Sequence, residues 1–157
     1  MTGDEKPYPQ LSRAAVRTVL GDELNEDLPL SVVVDEASRV VEPFFLIPDI
    51  ERRASCERVW RDLLGDRVIC MESPRDTTAC IAGIVAMDQG AVSDLDAFAR
   101  RLGDRGHERQ RIGAVVRALT AWAASREKDG APWPVIDERA PLPNDTEPSG
   151  HRRVTRS

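Results

Sequence analysis

The chain has 157 residues, 41% of them apolar and 31% charged, enough for one domain with a two-layer core and ragged ends. Its aromatics are three Trp, three Phe and one Tyr, so the core must be largely aliphatic. The formal net charge is −5 and the polar start MTGDEKPYPQ is unlike a signal peptide. No apolar run approaches the roughly 20 residues of a membrane span. The expectation is a cytoplasmic protein that binds neither membrane nor nucleic acid, because an acidic chain gains nothing from phosphate contacts.

Residues 1–36 form an acidic segment with three basic and eight acidic side chains. They account for the whole charge imbalance. Within them 11–20, LSRAAVRTVL, predict a short helix ended by Gly21. Residues 32–34 read as a loop leading into the next helix. That helix is expected over 35–47, with Asp35 as its cap and Ala37, Val40, Val41 and Phe44 at helical spacing. Pro43 inside the run predicts a kink or break near Glu42.

The clearest period lies at 55–64, where Cys56, Val59, Trp60, Leu63 and Leu64 fall on one face, Ser55 can cap and Gly65 follows. Residues 67–72, RVICME, read as a buried connector rather than a strand. A helix over about 76–88 is predicted with Asp76 as N-cap and a stripe of Thr77, Cys80, Ile81, Ile84 and Val85. The next begins at Ser93, carries Leu95, Phe98, Ala99 and Leu102, and stops at Gly103. The last spans about 108–125, with Ile112, Val115, Val116, Leu119, Trp122 and Ala123 in register.

These helices predict an all-α fold, a compact bundle of about five to six short antiparallel helices over residues 37–126. Residues 127–157 are expected to form a disordered, proline-rich tail that folding does not need. Within it PWPVI, residues 132–136, has the composition of a short docking peptide, although the expectation for Trp133 is loose packing or none.

Nucleophile elbows, phosphate loops and zinc-helix motifs are all missing from the sequence. Cys56, Cys70 and Cys80 read as small buried hydrophobes. His107 reads as a surface residue. The expectation is a chain with no catalytic, cofactor-binding or metal-binding residues. What remains is charge patterning. Arg100, Arg101, Arg105, Arg109, Arg111 and Arg117 crowd the last two helices, with only Asp104 and Glu108 among them. Asp94 and Asp96 diverge on a helix and read as partners of its N-terminal dipole. One reading is a solvated surface laced with local ion pairs. The other is a module with one basic and one acidic patch, able to stack on a related domain.

Residues 40–122 carry further landmarks. Phe45-Leu46-Ile47-Pro48 looks like an opening helix ended by Pro. Arg58 and Val59 precede the stop Leu63-Leu64-Gly65. Pro74-Arg75-Asp76 leads to Ile84-Val85, and Gly90 precedes Leu95, Phe98 and Leu102. In this order and spacing the stretch resembles the effector-associated domains of bacterial conflict systems, most closely the second type. The resemblance implies a death-fold-like adaptor that couples a core or sensor protein to an effector. Its partner would carry a similar helical domain, and self-association is a further option. The candidate interaction residues, from the charge patterning and the Pro74-Arg75-Asp76 landmark, are Arg75, Arg100, Arg101, Arg105, Arg109, Arg111, Asp94 and Asp96. Two other classes stand beside it: a small regulatory or inhibitor protein acting through its acidic N-terminal arm, and a DNA-binding helical module.

Overall fold

Pro43 and Pro48 bracket Phe45-Leu46-Ile47, and each proline pushes the residue before it into extended backbone. A helix cannot run through such a segment. In the computed structural model, which describes residues 1–128, it is strand β3 (Phe45–Ile47). β3 pairs in parallel with β4 (Val68–Cys70), Phe45 opposite Val68 and Ile47 opposite Cys70. The crossover between them is helix α3 (Ile50–Leu64). The expected helix over 35–47 and connector over 67–72 are therefore corrected. The fold is mostly helical with a small sheet, not all-α. The proline-rich tail and its PWPVI motif lie outside the described residues.

Upstream stand β1 (Gln10–Leu11), α1 (Arg13–Leu20), β2 (Leu28–Pro29) and α2 (Leu30–Ser38). β1 and β2 pair antiparallel. α1 ends as expected at Gly21, whose φ of 75° closes the last turn by donating to the Arg17 carbonyl. α2 takes in 32–34 and makes Asp35 an interior residue, because Val34 is buried on its inner face. The N-terminus adds to the sheet. The amino group of Met1 donates to the Phe44 carbonyl at 2.9 Å. Leu46 N–H donates to the Met1 carbonyl at 2.9 Å, and Gly3 N–H to the Leu46 carbonyl at 3.0 Å. Residues 1–36 are thus bound into the body rather than held out as an arm.

α3 starts five residues before the expected cap. Asp49 accepts from Glu51 N–H at 2.8 Å and supplies the real one. Cys56, Trp60 and Leu64 form its buried face. After β4 come α4 (Thr77–Asp88), α5 (Leu95–Asp104) and α6 (Arg109–Lys128). The stripe of α4 differs from the expected one. Cys80, Ile84 and Met87 are buried, whereas Ile81 and Val85 are exposed. Gly83 sets this rotation. A Cβ there would lie 2.7 Å from Leu119 Cδ1 and 2.8 Å from Phe98 Cε1, so α4 seats its glycine against α5 and α6. Asp94 rather than Ser93 caps α5, and the helix runs through Gly103 to Asp104.

The strands divide the core by their pleat. Leu46 and Ile69 join Met71, Ile84, Met87, Phe98, Leu119 and Trp122. Phe45, Ile47 and Val68 join Val34, Cys56, Trp60 and Leu64. Among the described residues no helix is long and apolar enough to cross a membrane.

Candidate functional site

The α5–α6 turn is built by its glycine. Gly106 takes a φ of 81°, which L side chains rarely adopt. Gly106 N–H donates to the Gly103 carbonyl and His107 N–H to the Leu102 carbonyl. The chain thereby reverses with its end carbonyls satisfied. Arg105 and Arg109 stand at this turn, while Arg100 and Arg101 lie earlier on α5 beside Ala91 and Ser93; all four are exposed. Arg101 donates to the Ala91 carbonyl at 3.3 Å. Among the described residues none of the four forms an ion pair.

Helix dipoles account for part of this pattern. Asp94 accepts from Ala97 N–H at 2.7 Å and from the Ser93 hydroxyl at 2.8 Å. The Ala97 N–H, and then Ser93, hold its carboxyl below the usual range. Asp96 lies in the first turn and Arg101 in the last, where each charge suits the dipole. The ten residues of α5 set its acidic start roughly 15 Å from its basic end. Arg109 is different. It opens α6, whose first turn holds no acid, so its charge opposes the dipole and helix stability does not explain it.

Arg111 and Arg117 reach across to the 72–76 segment, Arg111 half-buried and Arg117 exposed. Arg111 Nε lies 3.2 Å from Asp76 Oδ1, and its Nη2 donates to the Arg75 carbonyl at 2.6 Å. Arg117 grips Glu72 with two bonds, at 2.9 and 3.2 Å. Asp76 holds the expected N-cap position of α4 but its side chain accepts no backbone N–H there; it is instead the buried acid of this clasp at 5% exposure. The caps of that region come from Ser73, which accepts from Arg75 N–H. Between the 72–76 segment and the start of α6 lies a cleft of about 650 Å³, walled by Glu72, Arg75, His107, Glu108 and Arg111. Both signs of charge line it, which suits a protein surface better than a small anion. Of the eight residues singled out from sequence, Arg75 and Arg111 therefore line this cleft, and Arg105 and Arg109 stand at the turn beside it. Arg100 and Arg101 lie earlier on α5, and Asp94 and Asp96 stand at its far end.

Sequence reasoning missed a second charged cluster. Glu57 on α3 takes hydrogen bonds from Arg53 and from Arg61, the latter at 2.7 Å. The i, i+4 spacing on both sides was a readable signal. Arg53 is the main cause that holds the Glu57 carboxyl down to about 2, against the opposing pull of burial. Because that value lies below the ordinary 4.5, Glu57 stabilises the fold fully above 4.5, and the contribution is lost as pH falls through 2. Wild type should therefore lose more stability over that window than Glu57→Gln. An NMR titration of Glu57 checks it; a midpoint near 4.5 would show the cluster to be absent.

The thiols are quiet. Burial pushes Cys70 up to about 11 and Cys80 up to about 12, so both are protonated at neutral pH and poor nucleophiles. Among the described residues no three His, Cys, Asp or Glu side chains are grouped to hold a metal. No family model matches the chain, nor does any curated protein or solved structure.

Proposed function

We propose that the chain is a non-catalytic protein–protein interaction domain, an adaptor of the effector-associated, death-fold-like kind, coupling a core or sensor protein to an effector in a bacterial conflict system. The reading rests on the resemblance of residues 40–122, whose expected opening helix at Phe45-Leu46-Ile47 is strand β3 instead, and on the surface chemistry of α5, the turn and the start of α6. One observation carries it: four exposed arginines lie between residues 100 and 109 without an ion pair among the described residues, and one of them opens a helix against its dipole. Folding gains only the dipole contact of Arg101 from that arrangement, whereas complementary charge raises association rate and selects partners.

The partner is a protein with a similar helical domain and an acidic face, or a second copy presenting the Asp94 and Asp96 end of α5. The test reverses Arg105 and Arg109 to Glu. Melting is expected to hold or rise slightly, since Glu at position 109 suits the dipole. Association with the chain itself and with helical-domain proteins encoded by neighbouring genes, measured at low salt, should weaken about tenfold or more, equal to roughly 1.4 kcal/mol. Added salt should weaken the wild-type complex as well. Unchanged binding of the reversed variant would remove the basic turn from the interface.

A further inference from the structure

From Thr77 to Met87 helix α4 carries no charged side chain. One face packs on α5 and α6. The opposite face presents Thr78, Ile81, Ala82 and Val85, all exposed, Ile81 by 44% and Val85 by 53%. Their spacing by three and four residues sets the four side chains in one stripe. A surface helix ordinarily turns charged residues outward, and a helix that is apolar all round is ordinarily covered all round. Thr, Ile and Val are also weaker helix formers than Ala, Glu or Lys. On this face α4 gives up propensity without gaining packing among the described residues.

The two ends of the stripe differ in charge. Arg75, in the turn leading into α4, stands three residues before Thr78 and is exposed. Its guanidinium makes no ion pair among the described residues, since Arg111 serves Asp76 and Arg117 serves Glu72. Asp88 stands three residues after Val85. It shares Arg126 Nη1 with Glu42, each carboxylate at 3.1 Å. Two carboxylates on one guanidinium leave negative charge over at this end.

We propose that α4 is the contact of a two-fold dimer, its stripe packed antiparallel on the stripe of a second copy and Arg75 of each chain set against Asp88 of the other. The spacing gives the register. With Ile81 opposite Ala82 of the second copy, Thr78 falls opposite Val85 and Arg75 opposite Asp88, and the two-fold repeats each contact. A large side chain meets a small one at the crossing, which lets the helices approach closely. The antiparallel arrangement brings each positive end to a negative one, where guanidinium and carboxylate match as a fork. A parallel arrangement would set like charge on like. The helix has 12 residues, about 18 Å, so the dimer is weak and concentration-dependent. The inference goes beyond the adaptor reading: it uses apolar burial on another helix, not the cations of Arg105 and Arg109.

The test uses the full chain labelled with nitrogen-15, as wild type and with Arg105→Gln and Arg109→Gln, which silence the basic turn. In both, the amides of Thr78, Ile81, Ala82 and Val85 should shift as concentration rises a hundredfold, and diffusion should slow toward that of a dimer. Val85→Glu, at an exposed position, should keep the melting midpoint and weaken the dimer about tenfold or more. Arg75→Glu should weaken it several-fold, and adding Asp88→Arg to that variant should restore it, Glu42 still holding Arg126. Stripe amides that stay in place, or that shift equally in Val85→Glu, would overturn the proposal. An exchanged pair no tighter than Arg75→Glu alone would overturn it too. So would a dimer that is lost when Arg105 and Arg109 become Gln, which would hand self-association to the basic turn. The adaptor contact is read separately, as binding of Val85→Glu chains through Arg105 and Arg109, so either reading can fail alone.

Discussion

Trp60→Ala is expected to lower stability by about 3–5 kcal/mol, the usual cost of truncating a buried aromatic to Ala. Trp60 is 8% exposed and stacks on Phe45, ring centroids 3.8 Å apart and planes 16° from parallel. Its indole N–H donates to the Glu5 carbonyl at 2.9 Å. The substitution therefore removes apolar burial, a stacked pair and an anchor for the N-terminal segment together. Domains of this size hold about 5–15 kcal/mol in all, so the loss should be plain in urea denaturation followed by circular dichroism. Trp60→Phe separates the terms. It keeps a ring against Phe45, loses the hydrogen bond, and should cost far less, near the 0.5–1.5 kcal/mol of one intramolecular bond plus the smaller ring. A native denaturation midpoint in Trp60→Ala would mean that α3 turns a different face inward.

Arg111→Ala is expected to cost about 1–3 kcal/mol, because it leaves the buried Asp76 carboxylate without its cation. The effect comes from the acid left behind more than from the bond removed. Replacing both residues by Leu should restore most of the loss, as paired apolar replacements of buried ion pairs commonly do. The double-mutant cycle measures this directly, with an expected coupling above 0.5 kcal/mol for two residues in contact. Additive costs would mean that the two side chains act independently. The same melting measurement separates Arg111 from Arg105 and Arg109, whose reversal should leave stability intact. Arg111 is thus a clasp across the cleft, and the solvent-facing arginines of the turn are free to meet another molecule.

The helices were legible where their period was long. The 3.6-residue spacing of Val115, Leu119 and Trp122 locates α6, and Cys56, Trp60 and Leu64 locate α3, because each spans several turns. The sheet was not. Three-residue strands carry no period of their own, and β3 meets β4 only after α3 brings residues 68–70 back across. Signals were present in Pro43, Pro48 and the β-branched run RVICME, but a helical pattern through Ala37, Val40 and Val41 outweighed them. The arginine-rich turn was legible as composition. Its pairing was not, since nearness in sequence points to Asp104 and Glu108 as neutralising acids. The fold uses Asp76 and Glu72 instead, 35 and 45 residues from Arg111 and Arg117. Four of these six cations are left without an ion pair by either route, and the structure says, among the described residues, which four.

The pleat of β3 has a thermodynamic outcome. Leu46 points into the larger apolar cluster while Phe45 and Ile47 point into the smaller, so one short strand is the common wall of two chambers. Neither chamber can open alone, because pulling the strand from one side uncovers the other at the same moment. Separate clusters usually invite stepwise melting; a shared partition fuses them into one all-or-none transition. The short sheet, slight as it is, is expected to make this helical protein melt as a single cooperative unit, with near- and far-UV circular dichroism transitions that coincide.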